Sequence, residues 1–252
     1  MFYKKLKKKF SDIVIEKKLP KKRISIKTRA LKPGEATGKP DRDDFPLLEG
    51  KEVLMEATFG DVIGQAYTDA PSEFSGVLKD IIGLELTGPR QRALFIAALN
   101  AVMRYIYPDL ATIHCKDNEP EECAKEMIDF IRSLRPDTVG LIGLQPAILE
   151  SLVTSLGTNA VLCVDRNEKN RGQLKFSIPV EWGDNQGMEK LIKKSAVVLA
   201  TGSTVVNGSI KDILDLAAGY SRPVFFYGTT IAGTARLMDL NHLCFKSKRE
   251  IT

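Results

Sequence analysis

After Arg135-Pro136-Asp137 the chain carries four short, unbroken apolar runs: TVGLIGL (138–144), NAVLCVD (159–165), SAVVLATG (195–202) and PVFFYGT (223–229). None alternates apolar with polar residues, so each predicts a strand buried on both faces. Helical patterns lie between them, at 146–156, 186–194 and 209–218. Buried strands alternating with helices can fold into little other than a parallel sheet covered on both sides. A last run, HLCF (242–245), reads as a fifth strand.

Upstream the rhythm differs. Residues 53–69, VLMEATFGDVIGQAYTD, alternate partially and break at Gly60, which predicts a hairpin. Residues 90–106 are apolar on nearly every face and follow Pro89, the pattern of a buried helix entered through proline. A second helix fits 119–134, with Asn118 as its cap and Pro120 in its first turn. Residues 31–52 hold three prolines, three glycines and many charges, and read as a long irregular loop of the kind that more often serves function. The expected fold class is therefore α/β in two domains. Residues 1–135 form an α+β domain with a basic N-terminal extension, and residues 136–252 form a doubly wound parallel-sheet domain.

Charge is divided unevenly. Residues 1–30 carry twelve Lys and Arg against Asp12 and Glu16, a net of +10, while the rest of the chain is net −5. A basic arm on an acidic body can meet nucleic acid or an anionic surface. No basic patch interleaved with aromatics continues downstream, which argues against a dedicated nucleic-acid binder. Phe2, Leu6 and Phe10, at spacing four, offer a stripe for packing a helix on the body. Beyond that stripe, residues 1–30 are expected to add little to the fold. No apolar run reaches the roughly 20 residues of a membrane span, and the basic N-terminus has no apolar h-region followed by small residues, so a secretory signal is not expected. Four cysteines in 252 residues do not make a disulfide framework, so a reducing cytoplasm is expected. A homo-oligomer is compatible with this composition.

Candidate chemistry gathers where the strands end. In open α/β sheets, ligands bind beyond the carboxyl ends of the strands. Those ends hold Gly143 and Gln145; Asp165; Gly202, Ser203, Thr204 and Asn207; and Gly228, Thr229 and Thr230. Such residues admit close backbone approach and supply hydroxyls beside helix starts, or they are simply caps and tight turns. The G-x-G-x-x-G fingerprint is absent, although Asp165 stands where a ribose-binding acid would close the second strand. If the site is real, Gly202→Val should cost ligand binding more than stability. Arg90, with Arg92, lies beside the start of the 90–106 helix, where an anion or only solvent would meet it.

Soft ligands form a second group. The chain has two histidines, each beside a cysteine: His114-Cys115 and His242-x-Cys244, with Cys123 eight residues after Cys115. Thiolate and imidazole suit zinc, copper or iron, yet no C-x-x-C or H-x-x-x-H pair occurs. His114, Cys115 and Cys123 are therefore either a metal or thiol site, with a transition metal such as zinc or iron, or an ordinary loop. Cys163, in mid-strand, reads as an inert buried thiol.

The helix motif RALFIAALNAVM, with VVLATGSTVVNGSIKDIL and FFYGTTIAG, resembles the "putative heavy-metal chelation" family of uncharacterised proteins over roughly residues 50–235. The resemblance implies an enolase-N-terminal-like domain followed by a Rossmann-like domain, with a cleft between them. It places Gly202, Ser203, Thr204 and Asn207 in that cleft, with Asn100 facing it. The Lys-rich start, the 31–52 segment and the HC-x7-C segment depart from the family pattern. Two functions follow. One is binding of a metal ion, or of a metal-containing or anionic small molecule, in the cleft. The other is an enzyme, such as a transferase, acting on a nucleotide-like or other anionic small molecule at the strand-end loops. No nucleophile–base pair is visible, and two histidines leave little room for histidine acid–base catalysis.

Overall fold

A helix that is apolar on every side must be covered on every side, and α3 (Pro89–Ile106) is. Every residue from Ala93 to Arg104 is buried. The computed structural model describes residues 1–29 and 53–247, so the 31–52 segment lies outside the described residues. Before α3 come α1 (Phe2–Glu16), β1 (Arg23–Arg29), β2 (Val53–Phe59), β3 (Val62–Thr68), β4 (Phe74–Val77) and α2 (Leu78–Gly83). The four strands form an antiparallel sheet in the order β3-β2-β1-β4. The expected hairpin is present: β2 pairs with β3 from Val53↔Thr68 to Phe59↔Val62, across a turn that begins at Gly60. Helix α3 lies so close to β3 that a Cβ on Gly64 would stand 2.0 Å from the Ala101 backbone nitrogen. Only glycine permits that approach.

The rest of the chain follows the expected alternation. Helix α4 (Glu119–Ser133) leads into β5 (Val139–Ile142), α5 (Pro146–Leu156), β6 (Val161–Asp165), β7 (Leu174–Lys175) and β8 (Ile178–Trp182). Then come α6 (Asn185–Lys194), β9 (Val197–Thr201), α7 (Thr204–Asn207), α8 (Ile210–Gly219), β10 (Val224–Tyr227), α9 (Ala232–Met238) and β11 (His242–Leu243). The second sheet has the order β11-β10-β9-β5-β6-β8-β7, parallel except for the β7–β8 hairpin at its edge. Strand β8, with Ile178 and Val180 buried and Pro179 and Glu181 exposed, was not anticipated. It is short and half-buried, so it lacks the continuous apolar signal of the others.

Two cores result. Helices α4 and α5 cover one face of the second sheet, with Met127, Ile128, Ile131, Leu149 and Leu152 against Val139, Leu141, Val161 and Leu199. The other face shares one continuous core with the first sheet, running from Leu6 and Phe10 through α3 to Ile142, Val198, Ala200 and Phe226. The two sheets are thus joined by α3 and not by strand pairing.

The stripe is buried as expected, with Leu6 and Phe10 without exposed surface, but the expectation that residues 1–30 add little beyond it is overturned: Val14, Leu19, Ile24 and Ile26 are buried too. Phe10 meets Phe95 of α3 edge to face at 5.3 Å. The Tyr3 hydroxyl donates to the Val205 carbonyl (2.9 Å), and the Lys9 ammonium donates to Leu237 O (3.0 Å). Strand β1 lies inside its sheet, between β2 and β4. A segment's net charge averages over its faces, whereas a helix sorts apolar residues to one side and leaves the ammonium groups in water. Among the described residues no helix is long and apolar enough to cross a membrane.

Phe10→Ala should therefore destabilise the protein by about 3–5 kcal/mol. At about 2–4 °C per kcal/mol for a chain of this size, thermal denaturation should show a fall in Tm on the order of 10 °C. An unchanged Tm would mean that α1 is dispensable after all.

Candidate functional site

The carboxyl ends of β5, β6, β9 and β10 open into a cavity of about 1020 Å³. Its floor is made by the strand-end turns. Its opposite wall comes from the first sheet, through Tyr67, Thr68 and Asp69 at the end of β3, and from His114 and Cys115 in the loop after α3. Gly143, Gln145, Asp165, Gly202, Ser203, Thr204, Asn207, Gly228, Thr229 and Thr230 all line it. Arg166 and Lys169 bring positive charge to the rim, and Asp69 and Glu168 bring negative charge.

The turns are braced against one another. Gly143 N–H donates to Val164 O (2.9 Å), and Gly202 N–H donates to Tyr227 O (2.7 Å). The Tyr227 hydroxyl reaches across to Gly143 O at 2.6 Å. Asp165 accepts from Leu144 N–H (2.7 Å), Asn167 N–H (2.8 Å) and Asn170 Nδ2 (3.1 Å). Gln145 caps α5, its Oε1 accepting from Ile148 N–H at 2.7 Å. The N–H groups of Gly143, Leu144 and Gly202 are therefore occupied by the protein itself, and do not form the anion cradle that the glycines invited. Asp165 ties the turn after β5 to the turn after β6, where the sequence pointed to a ribose acid. Gly143 needs its positive φ of +88°, and a Cβ there would meet Thr201 Cγ2 at 2.6 Å. A Cβ on Gly202 would stand 3.0 Å from both Ile231 N and Tyr227 O. Gly202→Val is consequently a fold variant and not the clean test of binding expected from sequence.

Two expected ligand residues do not reach the cavity. Arg90 is exposed at the start of α3 and is not a lining residue, although its neighbour Pro89 is. Its neighbour Arg92 is committed to the fold, donating from Nε to Val206 O (2.6 Å) and from the guanidinium to Leu86, Thr87 and Asn207 carbonyls. Asn100 is fully buried beneath the cleft, not facing it. Its Nδ2 serves Gln65 O (2.7 Å), Thr230 O (3.0 Å) and Thr229 O (3.3 Å), while its Oδ1 accepts from Gly233 N–H (2.8 Å). A single carboxamide thus ties β3 to the turn after β10 and to the start of α9.

His114 is held by a relay invisible in sequence. Gln65 Nε2 donates to Glu56 Oε2 (3.0 Å), and Gln65 Oε1 accepts from the His114 backbone N–H (2.9 Å). A carboxylate accepts and a backbone N–H donates, so both contacts fix the same orientation of the Gln65 amide. The same Oε1 lies 2.9 Å from His114 Nδ1, which must then carry the proton. In a neutral ring the lone pair would then lie on Nε2, the tautomer suited to a metal or to a donor hydrogen.

The expected trio of His114, Cys115 and Cys123 does not converge as a ligand set. Among the described residues no three His, Cys, Asp or Glu side chains already stand at metal-holding spacing. The neighbour of Cys123 is Cys244, which lines the cavity beside Cys115. Cys244, with the backbone of Lys246 and Phe245, outweighs burial and holds the Cys123 thiol down at about 6. Burial, with Cys123, Glu119 and Glu121 nearby, pushes Cys115 up to about 12. Burial likewise raises Cys163, which sits in β6 away from the cavity, as the inert reading expected. Sequence reading missed Cys244, Gln65, Glu56 and Tyr67–Asp69. Only Cys244 left a signal, through its place beside the second histidine.

Residues 126–240 match the family DUF364, described as "Putative heavy-metal chelation", the same family that the motifs indicated. Two solved structures share the fold, both titled as DUF364 proteins of unknown function. The one from Pyrococcus horikoshii is 17% identical, with a TM-score of 0.56, over 91% of this chain and 80% of its own. The one from Desulfitobacterium hafniense DCB-2 is 11% identical, with a TM-score of 0.52, over 74% of this chain and 71% of its own. No curated protein matches the chain significantly.

Asn100→Ala should orphan one buried N–H and at least two carbonyls, each worth about 1–3 kcal/mol, for a total of roughly 3 kcal/mol or more. Asn100→Asp keeps the acceptor but turns a carboxylate toward carbonyl oxygens. Burial raises its folded pKa, so its penalty should be greatest above that pKa and shrink as acidification protonates it. Urea midpoints at neutral and acidic pH would check both; equal stability of Asn100→Ala and wild type would show that the carboxamide is not a brace.

Proposed function

We propose that the cleft binds a small anionic molecule that carries a transition-metal ion. The observation that carries this reading is the cavity wall. Arg166 and Lys169 line it where an anion's charge would be met, and His114, its Nδ1 held by Gln65, lines it too. A metal that arrives with oxygen ligands of its own needs only one or two protein donors, which His114 and Cys115 could supply. The family description, heavy-metal chelation, supports the same direction.

The two-domain division at 135/136 goes with this reading, as does a Rossmann-like second domain paired with an enolase-N-terminal-like first. In its favour, the two sheets are separate. Leaving out the short β7, the second sheet runs 3-2-1-4-5-6 in chain order, with the cleft at the switch between β5 and β9. That order also favours a nucleotide-like ligand and hence the transferase reading. The commitment of Asp165 to three protein donors weighs against it.

The test is thermal denaturation with citrate, citrate loaded with Fe(III), and adenine nucleotides. Ferric citrate at 100 times its Kd should stabilise the protein by about 2.7 kcal/mol, and citrate alone by less. Arg166→Ala should weaken both, whereas His114→Gln should close the gap between them. Stabilisation by nucleotides alone would move the assignment to the transferase, and no stabilisation by any of the three would reject the cleft reading.

A further inference from the structure

Neither the fold nor the cleft accounts for the cations between residues 4 and 23, which lie outside the residues that the family match covers. Helix α1 fixes where they point. Leu6, Phe10 and Val14 take one side of the helix into the core. The helical period turns Lys4, Lys5, Lys8, Asp12 and Ile15 to the opposite side, where all five are exposed. The turn after α1 continues the charge with exposed Lys17, Lys18 and Lys21. Carboxylates offset little of it. Asp12 meets Lys8 at 2.7 Å and Glu16 meets Lys17 at 2.9 Å, while Lys4, Lys5, Lys18 and Lys21 have no ion-pair partner among the described residues.

Solvation alone does not call for this pattern, since any polar residue would serve. The first turn of α1 holds no acidic residue, and Lys4 and Lys5 there oppose the helix dipole. Lys4 with Lys8, and Lys5 with Lys9, set like charges at the i,i+4 spacing, which destabilises a helix further. The buried side holds α1 in place despite both effects.

We infer that this cationic face docks on an anionic membrane surface, against the headgroups of acidic phospholipids. Charge complementarity carries the inference: about 4–8 cations clustered on an amphipathic helix match the field of such a surface. Three features select lipid over nucleic acid. The cations of α1 are all lysine, hydrated point charges suited to a diffuse field and not to the bidentate grip of an arginine fork. No aromatic ring of α1 is offered for base stacking. Phe2, Tyr3 and Phe10 pack on the core, Tyr3 through its bond to Val205 O and Phe10 against Phe95. Ile15, 61% exposed, stands on the cationic face, where an apolar tip can enter a headgroup layer but finds no partner on a phosphate backbone. With Leu6, Phe10 and Val14 committed to the core, the helix cannot roll its apolar side into the bilayer as free amphipathic helices do. The contact is adsorption, held by charge and released by salt. It does not depend on what the cleft binds.

The experiment is cosedimentation of the full chain, without added cleft ligand, with vesicles of equal parts phosphatidylcholine and phosphatidylglycerol and with vesicles of phosphatidylcholine alone. At about 0.1 M salt, with a Debye length of about 10 Å, the protein should pellet with the acidic vesicles only; near 1 M, at about 3 Å, it should remain in solution. Changing Lys4, Lys5, Lys18 and Lys21 together to Gln should weaken binding about fivefold per charge, or several hundred-fold in all. All four are exposed, so thermal denaturation should give the variant a near wild-type Tm. Changing the exposed Lys193 and Lys194 of α6 to Gln should leave binding within a few-fold of wild type. No binding to acidic vesicles, equal binding to neutral ones, or binding that survives the fourfold change would overturn the assignment. So would loss of binding in the α6 variant, or tighter binding to double-stranded DNA than to acidic vesicles at the same salt.

Discussion

The side chain of Asn100 is the point on which the rest of the arrangement depends. It sits without exposed surface in the middle of an otherwise apolar helix and bonds to β3, the turn after β10 and the start of α9 at once. Burying a carboxamide is costly unless each of its groups finds a partner. This one does, and the result is directional. Hydrophobic contact alone would let α3 slide between two apolar faces, whereas these bonds set the distance from Tyr67 to Thr230. That junction holds two parts of the cavity lining together. The Thr230 hydroxyl, accepting from Tyr67 N–H at 3.1 Å, reinforces it from the cavity side.

Around that brace, the strand-end turns behave as scaffold more than as ligand. Gly143, Leu144, Asp165, Gly202 and Tyr227 satisfy one another across neighbouring strands. Their rigidity leaves the chemistry to side chains on less regular segments: Arg166 and Lys169 after β6, and His114 and Cys115 after α3. The division has a physical basis. A turn that spends its N–H groups internally holds its shape without a ligand, and the groups presented over it are then placed with little further ordering cost.

The four cysteines illustrate how environment and not residue type decides reactivity. Cys163 is held in a strand among apolar neighbours and has nothing to lower the cost of charge. Cys123 is nearly as buried, but Cys244 and the backbone of Lys246 and Phe245 beside it reverse the sign of the shift. Cys115, raised first by burial and then by Cys123 and Glu119 nearby, goes the other way. The acidic residues between Cys115 and Cys123 do not all bear on the thiols. Glu122 is paired with Lys246, whereas Glu126, beyond Cys123 and also paired with Lys246, still bears on Cys123.

Much of the fold was legible from the chain alone. The four continuous apolar runs became β5, β6, β9 and β10 because strands buried on both faces leave no room for polar residues. The ring of apolar residues on 90–106 implied a helix covered on all sides. Gly60 marked its hairpin, and the strand ends marked the cavity. These are local consequences of period and burial, which sequence carries directly. What the chain could not disclose were relations between distant segments. The stripe of Phe2, Leu6 and Phe10 was legible, but average charge concealed that Val14, Leu19 and strand β1 also belong to the core, because an average discards the face on which residues lie. Half-buried β8, with a proline in it, fell below the pattern. Asn100 looked like a ligand residue and is a brace, since an isolated polar residue in an apolar helix has the same sequence signature in either role. His114 gained its tautomer from Glu56 and Gln65, and Cys123 gained Cys244 from more than a hundred residues away. Such pairings are set by how the two sheets meet across α3, and only the tertiary structure decides that.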